Sequence, residues 1–133
     1  MTRINLIPAS ELHTKHLMAE IHELPRVFGL VRAFHDRRAT EDLSAHSKYK
    51  MGAGHVKFFY TRLGFLVDRY RALCDYAVAL GWKVKPVDAA SLTHGIPSKY
   101  LGAFHPSRTD ISVNLGRLVE KNSVHYDNKE IVE

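Results

Sequence analysis

The chain has 133 residues, 45% apolar and 25% charged, which suits one globular domain with a real core but not two. No stretch approaches the roughly 18 uninterrupted apolar residues of a membrane span, and a single cysteine excludes an internal disulfide framework or a multi-cysteine zinc site. A formal charge of +5 leans towards a polyanionic partner, although many basic proteins bind none.

The first residues read MTRIN, with no apolar run resembling a secretory signal, so a cytosolic or nucleoid location is expected. A threonine in second position is small enough for the initiator methionine to be trimmed. Thr2 would then carry a free α-amine with a reference pKa of about 7.7 to 8.0, against about 10.4 for lysine. Such an amine can attack an electrophilic carbon and hold the product as an imine. Very many proteins begin Met-Thr and do nothing with it.

Apolar positions Leu17, Ile21, Leu24, Phe28, Val31 and Phe34 recur at three- and four-residue spacing and predict an amphipathic helix over 15–38, capped by Ser10 or Thr14. Pro25 interrupts it, at about 3 kcal/mol in a helix interior, so a kink is expected next to Glu23. Glu23 lies in MAEIHELPRVF with Glu20 before it and Arg26 after it. A carboxylate there could stabilise developing positive charge or move protons, or it could simply form a surface salt bridge. His13, His16 and Glu20 share one helix face and could in principle ligate zinc, but the His-Glu-x-x-His spacing of a metalloprotease is lacking. No metal site is expected.

A polar, breaker-rich stretch over 37–54 follows, ending in GAGHVKFFY. Small residues Gly52 and Gly54 before His55 could expose N–H groups to a phosphate, or could serve only as a tight helix entry. Phe59, Leu63, Leu66, Tyr70, Leu73, Ala77 and Leu80 predict a long helix over 55–80, with Gly81 placed to stop it. Cys74 falls within this stripe and reads as a buried, inert thiol. Pro86, Gly95, Pro97, Gly102 and Pro106 then break the chain before a third helix over 108–121, on a stripe of Ile111, Leu115, Leu118 and Val119 with Thr109 or Asp110 as cap. No convincing pair of alternating strands occurs. The expected fold is mainly α: a compact single domain of three main helices with long irregular loops. Cations recur in every segment and alternate with aromatics, as in KFFYTR and DRYRAL. Phosphate contacts require them to converge on one face, which sequence does not display.

Individually weak, these signals acquire weight from their order. MTRINL, SEL, HLMAE, ELPRVF, GAGHV, FFY and the later Arg117 closely resemble the pyrimidine-dimer DNA glycosylases of the T-even phage endonuclease V family. The match is dense from Met1 to Val31, resumes from Gly52 to Leu66, and thins towards Lys121; around Leu43 to Met51 the spacing is one residue short. The resemblance implies a compact, mainly helical, single-domain repair enzyme that acts on damaged duplex DNA as a monomer without metal or organic cofactor, in a bacterial or phage-infected cell. It implies that the Thr2 amine attacks C1′ of the damaged nucleotide and displaces the base, that Glu23 stabilises the cationic sugar and assists proton transfer, and that β-elimination cuts the strand. It also implies DNA-binding roles for Arg3, His22, Arg26, Gly52, Gly54, His55, Arg117 and Lys121.

Two departures bear on these expectations. His22 stands where the family pattern has arginine, and Ile21 where an aromatic is familiar; a side chain titrating near pH 6.5 in place of a permanent cation could make affinity pH-dependent. The chain ends NSVHYDNKEIVE in place of a Trp-Tyr-Lys-Tyr-Tyr-Gly run associated with dimer recognition, leaving only Tyr126. Chemistry on an abasic sugar is therefore better supported than preference for dimers. A catalytically silent DNA-binding module of the same fold and a histidine-based metal nuclease are the competing expectations.

Overall fold

The structure, a computed structural model, describes residues 2–120. An extended N-terminal segment leads through a 3-10 turn at Ala9–Glu11 into α1 (Thr14–Glu23) and α2 (Arg26–Asp36). A long connection holding a 3-10 turn at Leu43–His46 leads to α3 (His55–Phe58), the 3-10 turn Phe59–Thr61 and α4 (Leu63–Ala79). Short α5 (Ala89–Thr93), a 3-10 turn at Ser98–Tyr100 and α6 (Arg108–Glu120) complete the order. The described residues are mainly helical and include no strand; Arg62 and Leu101 form an antiparallel bridge.

Each predicted helix exists; the first two are divided, one by a local cause and one by a contact distant in sequence. As expected next to Glu23, Pro25 interrupts the helix, separating α1 from α2 although Leu24 and Pro25 keep right-handed helical dihedrals. It has no N–H to continue the ladder, α1 closes on Leu24 N–H donating to Glu20 C=O at 2.8 Å, and Pro25 itself precedes the first turn of α2. The entry cap of α1 is neither Ser10 nor Thr14 but His13, whose Nδ1 accepts from Lys15 N–H at 3.2 Å.

The helix expected over 55–80 is divided at Arg62. There the 101–102 backbone approaches so closely that a Cβ at Gly64 would lie 2.8 Å from the carbonyl oxygens of both Leu101 and Gly102, and one at Gly102 would lie 2.4 Å from the Thr61 carbonyl oxygen. Phe65 N–H donates across this contact to Gly102 C=O at 3.3 Å, a bond that a continuous helix would forbid. At its far end α4 stops before Gly81, with Trp82 N–H reaching back to Ala77 C=O at 3.0 Å.

The cap of α6 is Ser107 rather than Thr109 or Asp110: Asp110 N–H donates to Ser107 Oγ at 3.1 Å while Ser107 N–H donates to Asp110 Oδ2 at 2.9 Å, a reciprocal capping box. On α6 the predicted stripe faces the core through Leu118, with Leu115 and Val119 partly buried against it and Asn114 buried on the same face; Ile111, one turn nearer the start, is exposed.

α1 and α4 pack together, and Leu17, Ile21, Leu24, Leu63, Leu66, Leu73 and Ala77 are buried in one core. An aromatic cluster of Tyr49, Phe58, Phe59, Phe65 and Phe104 joins this core edge-to-face and by offset stacking. Cys74 is buried there, and burial raises its thiol pKa, which keeps it a neutral packing group.

Candidate active site

The N-terminal segment from Ile4 to Ile7 forms no helix or sheet, yet five of its backbone polar groups meet side chains. Ile4 N–H donates to His55 Nε2 at 2.8 Å, and Ile4 C=O accepts from the Tyr49 hydroxyl at 3.1 Å. Asn5 N–H donates to the Glu20 carboxylate at 3.3 Å, Leu6 N–H to Asn114 Oδ1 at 2.7 Å, and Ile7 C=O accepts from Arg69. Ile4 and Ile7 bury their side chains in the core at the same time. Backbone removed from water must find such partners, and here the partners come from α1, α4, α6 and the 49–55 region.

A buried ion pair organises these partners. The Glu20 carboxylate, 1% exposed, accepts two bonds from Arg69, at 2.8 Å from Nε and 3.0 Å from Nη2. Its Oε1 also accepts from Asn5 Nδ2 at 2.8 Å, and Asn5 Oδ1 accepts from Asn114 Nδ2 at 2.9 Å. Two bidentate bonds and further amide donors satisfy charges that would otherwise be costly to bury. Burial raises the Tyr49 hydroxyl pKa, so it remains a donor to Ile4.

Neither Glu20, Arg69, Asn5 nor Asn114 is among the expected site residues. The signal was present: Glu20 falls in register with Leu17 and Leu24, Arg69 with Leu66 and Leu73, and Asn114 with Leu118, so each is a polar residue within an apolar stripe. Glu20 thus faces the core, and its carboxylate is committed to Arg69 and Asn5, so His13, His16 and Glu20 do not assemble into a ligand set. No group of three potential metal ligands occurs among the described residues.

Held in this way, the chain end lies over three adjoining depressions. Thr2 and Arg3 line a small one of about 60 Å³ with Met51, Gly52, His55 and Arg117. Thr2 also lines a larger one of about 420 Å³ with Gly52, Gly54, His55, Leu30 and Tyr60 among its walls. On its other side Arg3 joins Glu23, Asn5, His16 and Glu20 around a depression of about 210 Å³. Arg3 therefore links the Thr2 side to the Glu23 side. Neither Arg3 nor Arg117 forms an ion pair among the described residues, so both keep their charge available to an anion. Burial, then the charge of Arg3, lowers the His16 pKa, which keeps that ring neutral beside Glu23.

The remaining expected residues are placed differently. His55 is 2% exposed with both ring nitrogens bonded to backbone, so it has no ring N–H left for a phosphate. Gly52 and Gly54 take left-handed conformations with φ of 78° and 85°. The α3 that follows them has only four residues, too short for a strong end-on dipole. His22 faces a separate groove of about 740 Å³ with Trp82, Lys83 and Lys85 rather than the Thr2 depressions. Arg26 is exposed at the start of α2 and lines none of these three hollows. Lys121 and the terminal segment with Tyr126 lie outside the described residues.

A family model described as pyrimidine dimer DNA glycosylase matches residues 1–89, which include the N-terminal segment, Glu20, Glu23, His55 and Arg69. The chain belongs to the pyrimidine dimer DNA glycosylase family, a family of DNA repair enzymes.

Proposed function

We propose that this chain excises a damaged base and then cuts the strand at the same nucleotide, using the α-amine of Thr2, once Met1 is removed, as the nucleophile. The observation that supports this reading best is the anchoring of residues 4–7 by five side-chain contacts, which holds the chain end beside two arginines without an ion pair among the described residues. A terminus with no chemical task has no need of such restraint.

In the proposed sequence, the amine lone pair forms a bond to C1′ as the glycosidic bond breaks and the base leaves with its electron pair and a proton. The Glu23 carboxylate stabilises the cationic sugar and moves protons at the reaction centre. Opening of the sugar ring gives an imine, which acidifies C2′; loss of that proton expels the 3′ phosphate and cuts the strand. Arg3 and Arg117 would contact flanking phosphates. Duplex distortion to reach the base costs a few kcal/mol and is least at a damaged pair. The partner is double-stranded damaged DNA, met by one domain acting as a monomer.

Borohydride added during reaction with duplexes holding a pyrimidine dimer or an abasic site should trap a covalent adduct, located by mass at the N-terminal peptide. Absence of an adduct with both duplexes would sink the proposal and leave a binding module. Glu23→Gln should lose base excision by two or more orders of magnitude, on the scale of a missing acid–base group; unchanged excision removes Glu23 from the mechanism.

A further inference from the structure

The groups that contact the N-terminal segment are mostly of fixed charge or neutral near pH 7, but one can change state there. His55 is that group, and its two partners define its proton. Ile4 N–H is a donor, so Nε2 at 2.8 Å must accept. The Lys50 carbonyl is an acceptor, so Nδ1, also at 2.8 Å, must carry the hydrogen. Only the neutral Nδ1–H ring satisfies both. A protonated ring would turn a second N–H towards the Ile4 N–H, and the bond would be replaced by repulsion.

We propose that His55 is a positioning residue for the Thr2 amine: its neutral ring, clamped between Lys50 C=O and Ile4 N–H, sets the chain end two residues from the nucleophile, and acid releases it. The inference rests on the Thr2 reading. Tyr49 and Phe59 pack edge-on to the His55 ring with centroids 5.5 and 5.6 Å away. The charges facing it are Arg3 on the terminal segment, Glu20 on α1 and Arg117 on α6, with the Lys50 carbonyl from the preceding loop. Burial lowers its pKa most, and Arg3 and Arg117 lower it further, against the raising effects of the Lys50 carbonyl and Glu20. The sign follows: the latch is complete at neutral pH, and it opens as pH falls through a folded value below the ordinary 6.5.

Two measurements test this. The first needs no activity: in the free protein, an NMR scalar coupling across the hydrogen bond should join the Ile4 amide nitrogen to His55 Nε2 at pH 7 and vanish as the ring titrates. No coupling at pH 7, or a ring already protonated there, overturns the proposal. The second follows the trappable adduct on abasic duplex under single turnover, across about pH 5 to 8. His55→Ala should slow adduct formation on the order of 100-fold, the scale of a displacement near 1 Å. His55→Gln, whose amide can accept from Ile4 and donate to Lys50, should recover most of the rate. It should also lose the extra acid-side fall, retaining only that of the amine. Equal rates in His55→Ala, or identical pH profiles in wild type and His55→Gln, overturn the positioning role. Should His55→Ala not fold, the coupling and the His55→Gln profile still decide. A wild-type coupling without any wild-type adduct overturns the Thr2 reading and, with it, the role assigned to His55.

Discussion

At the scale of the residue, Glu20 and Arg69 are the groups on which the site depends, although neither would touch DNA. Both are almost fully buried, at 1% and 7% side-chain exposure. Two charges in that setting are stable only as a pair with their remaining hydrogen-bonding capacity met, and Asn5 and Ile7 contribute to meeting it. The pair thereby turns a stability requirement into a positional one, because the groups that complete it belong to the segment carrying Thr2. Removing one partner should cost about 3 to 5 kcal/mol. Glu20→Ala is therefore expected to lower the urea midpoint accordingly; a loss below about 1 kcal/mol would mean that the pair behaves as a surface salt bridge.

The elements show how short-range and long-range forces divide the helices. Pro25 acts locally, through a missing N–H that interrupts the ladder between α1 and α2. Arg62 acts through contact, because the 101–102 backbone lies against residues 61–65 at a distance only glycine allows. Gly102→Ala should destabilise the fold by about 1 to 3 kcal/mol, the usual cost of overpacking, by pushing a methyl group into the Thr61 carbonyl. Thermal unfolding checks this, and an unchanged midpoint would show that the 101–102 segment moves freely. The break at Arg62 also matters to the site. It lets α3 turn His55 towards the N-terminal segment while α4 runs on to present Arg69 beneath it.

For the whole molecule, the excess of cations becomes useful only where the fold gathers them. Arg3 and Arg117, separated by most of the chain, share one depression with Thr2, whereas Glu41 engages Lys57 and His46 nearby. Neutralising phosphates releases counterions, so the logarithm of duplex affinity should fall linearly with log salt. Arg117→Ala should weaken binding to all duplexes alike and reduce that slope by about one, as measured by titration at several salt concentrations. A slope equal to wild type would place Arg117 away from the phosphate backbone.

Much of this molecule was determined by sequence alone. Apolar spacing and breakers located the helices, because burying one face of a helix requires that periodicity, and the order of short motifs in the first 66 residues pointed to the family. The same periodicity records that a position faces inward without recording what it meets there. Glu20 with Arg69, Ile4 with His55, and Asn5 with Asn114 are 49, 51 and 109 positions apart, and no local pattern names such partners. Only the tertiary structure decided that His22 faces away from Thr2, that Ile111 is exposed while Asn114 is buried, and that His55 grips backbone instead of facing solvent. Helices follow from local periodicity, whereas the placement of the chain end follows from hydrogen bonds that exist only after the helices have packed.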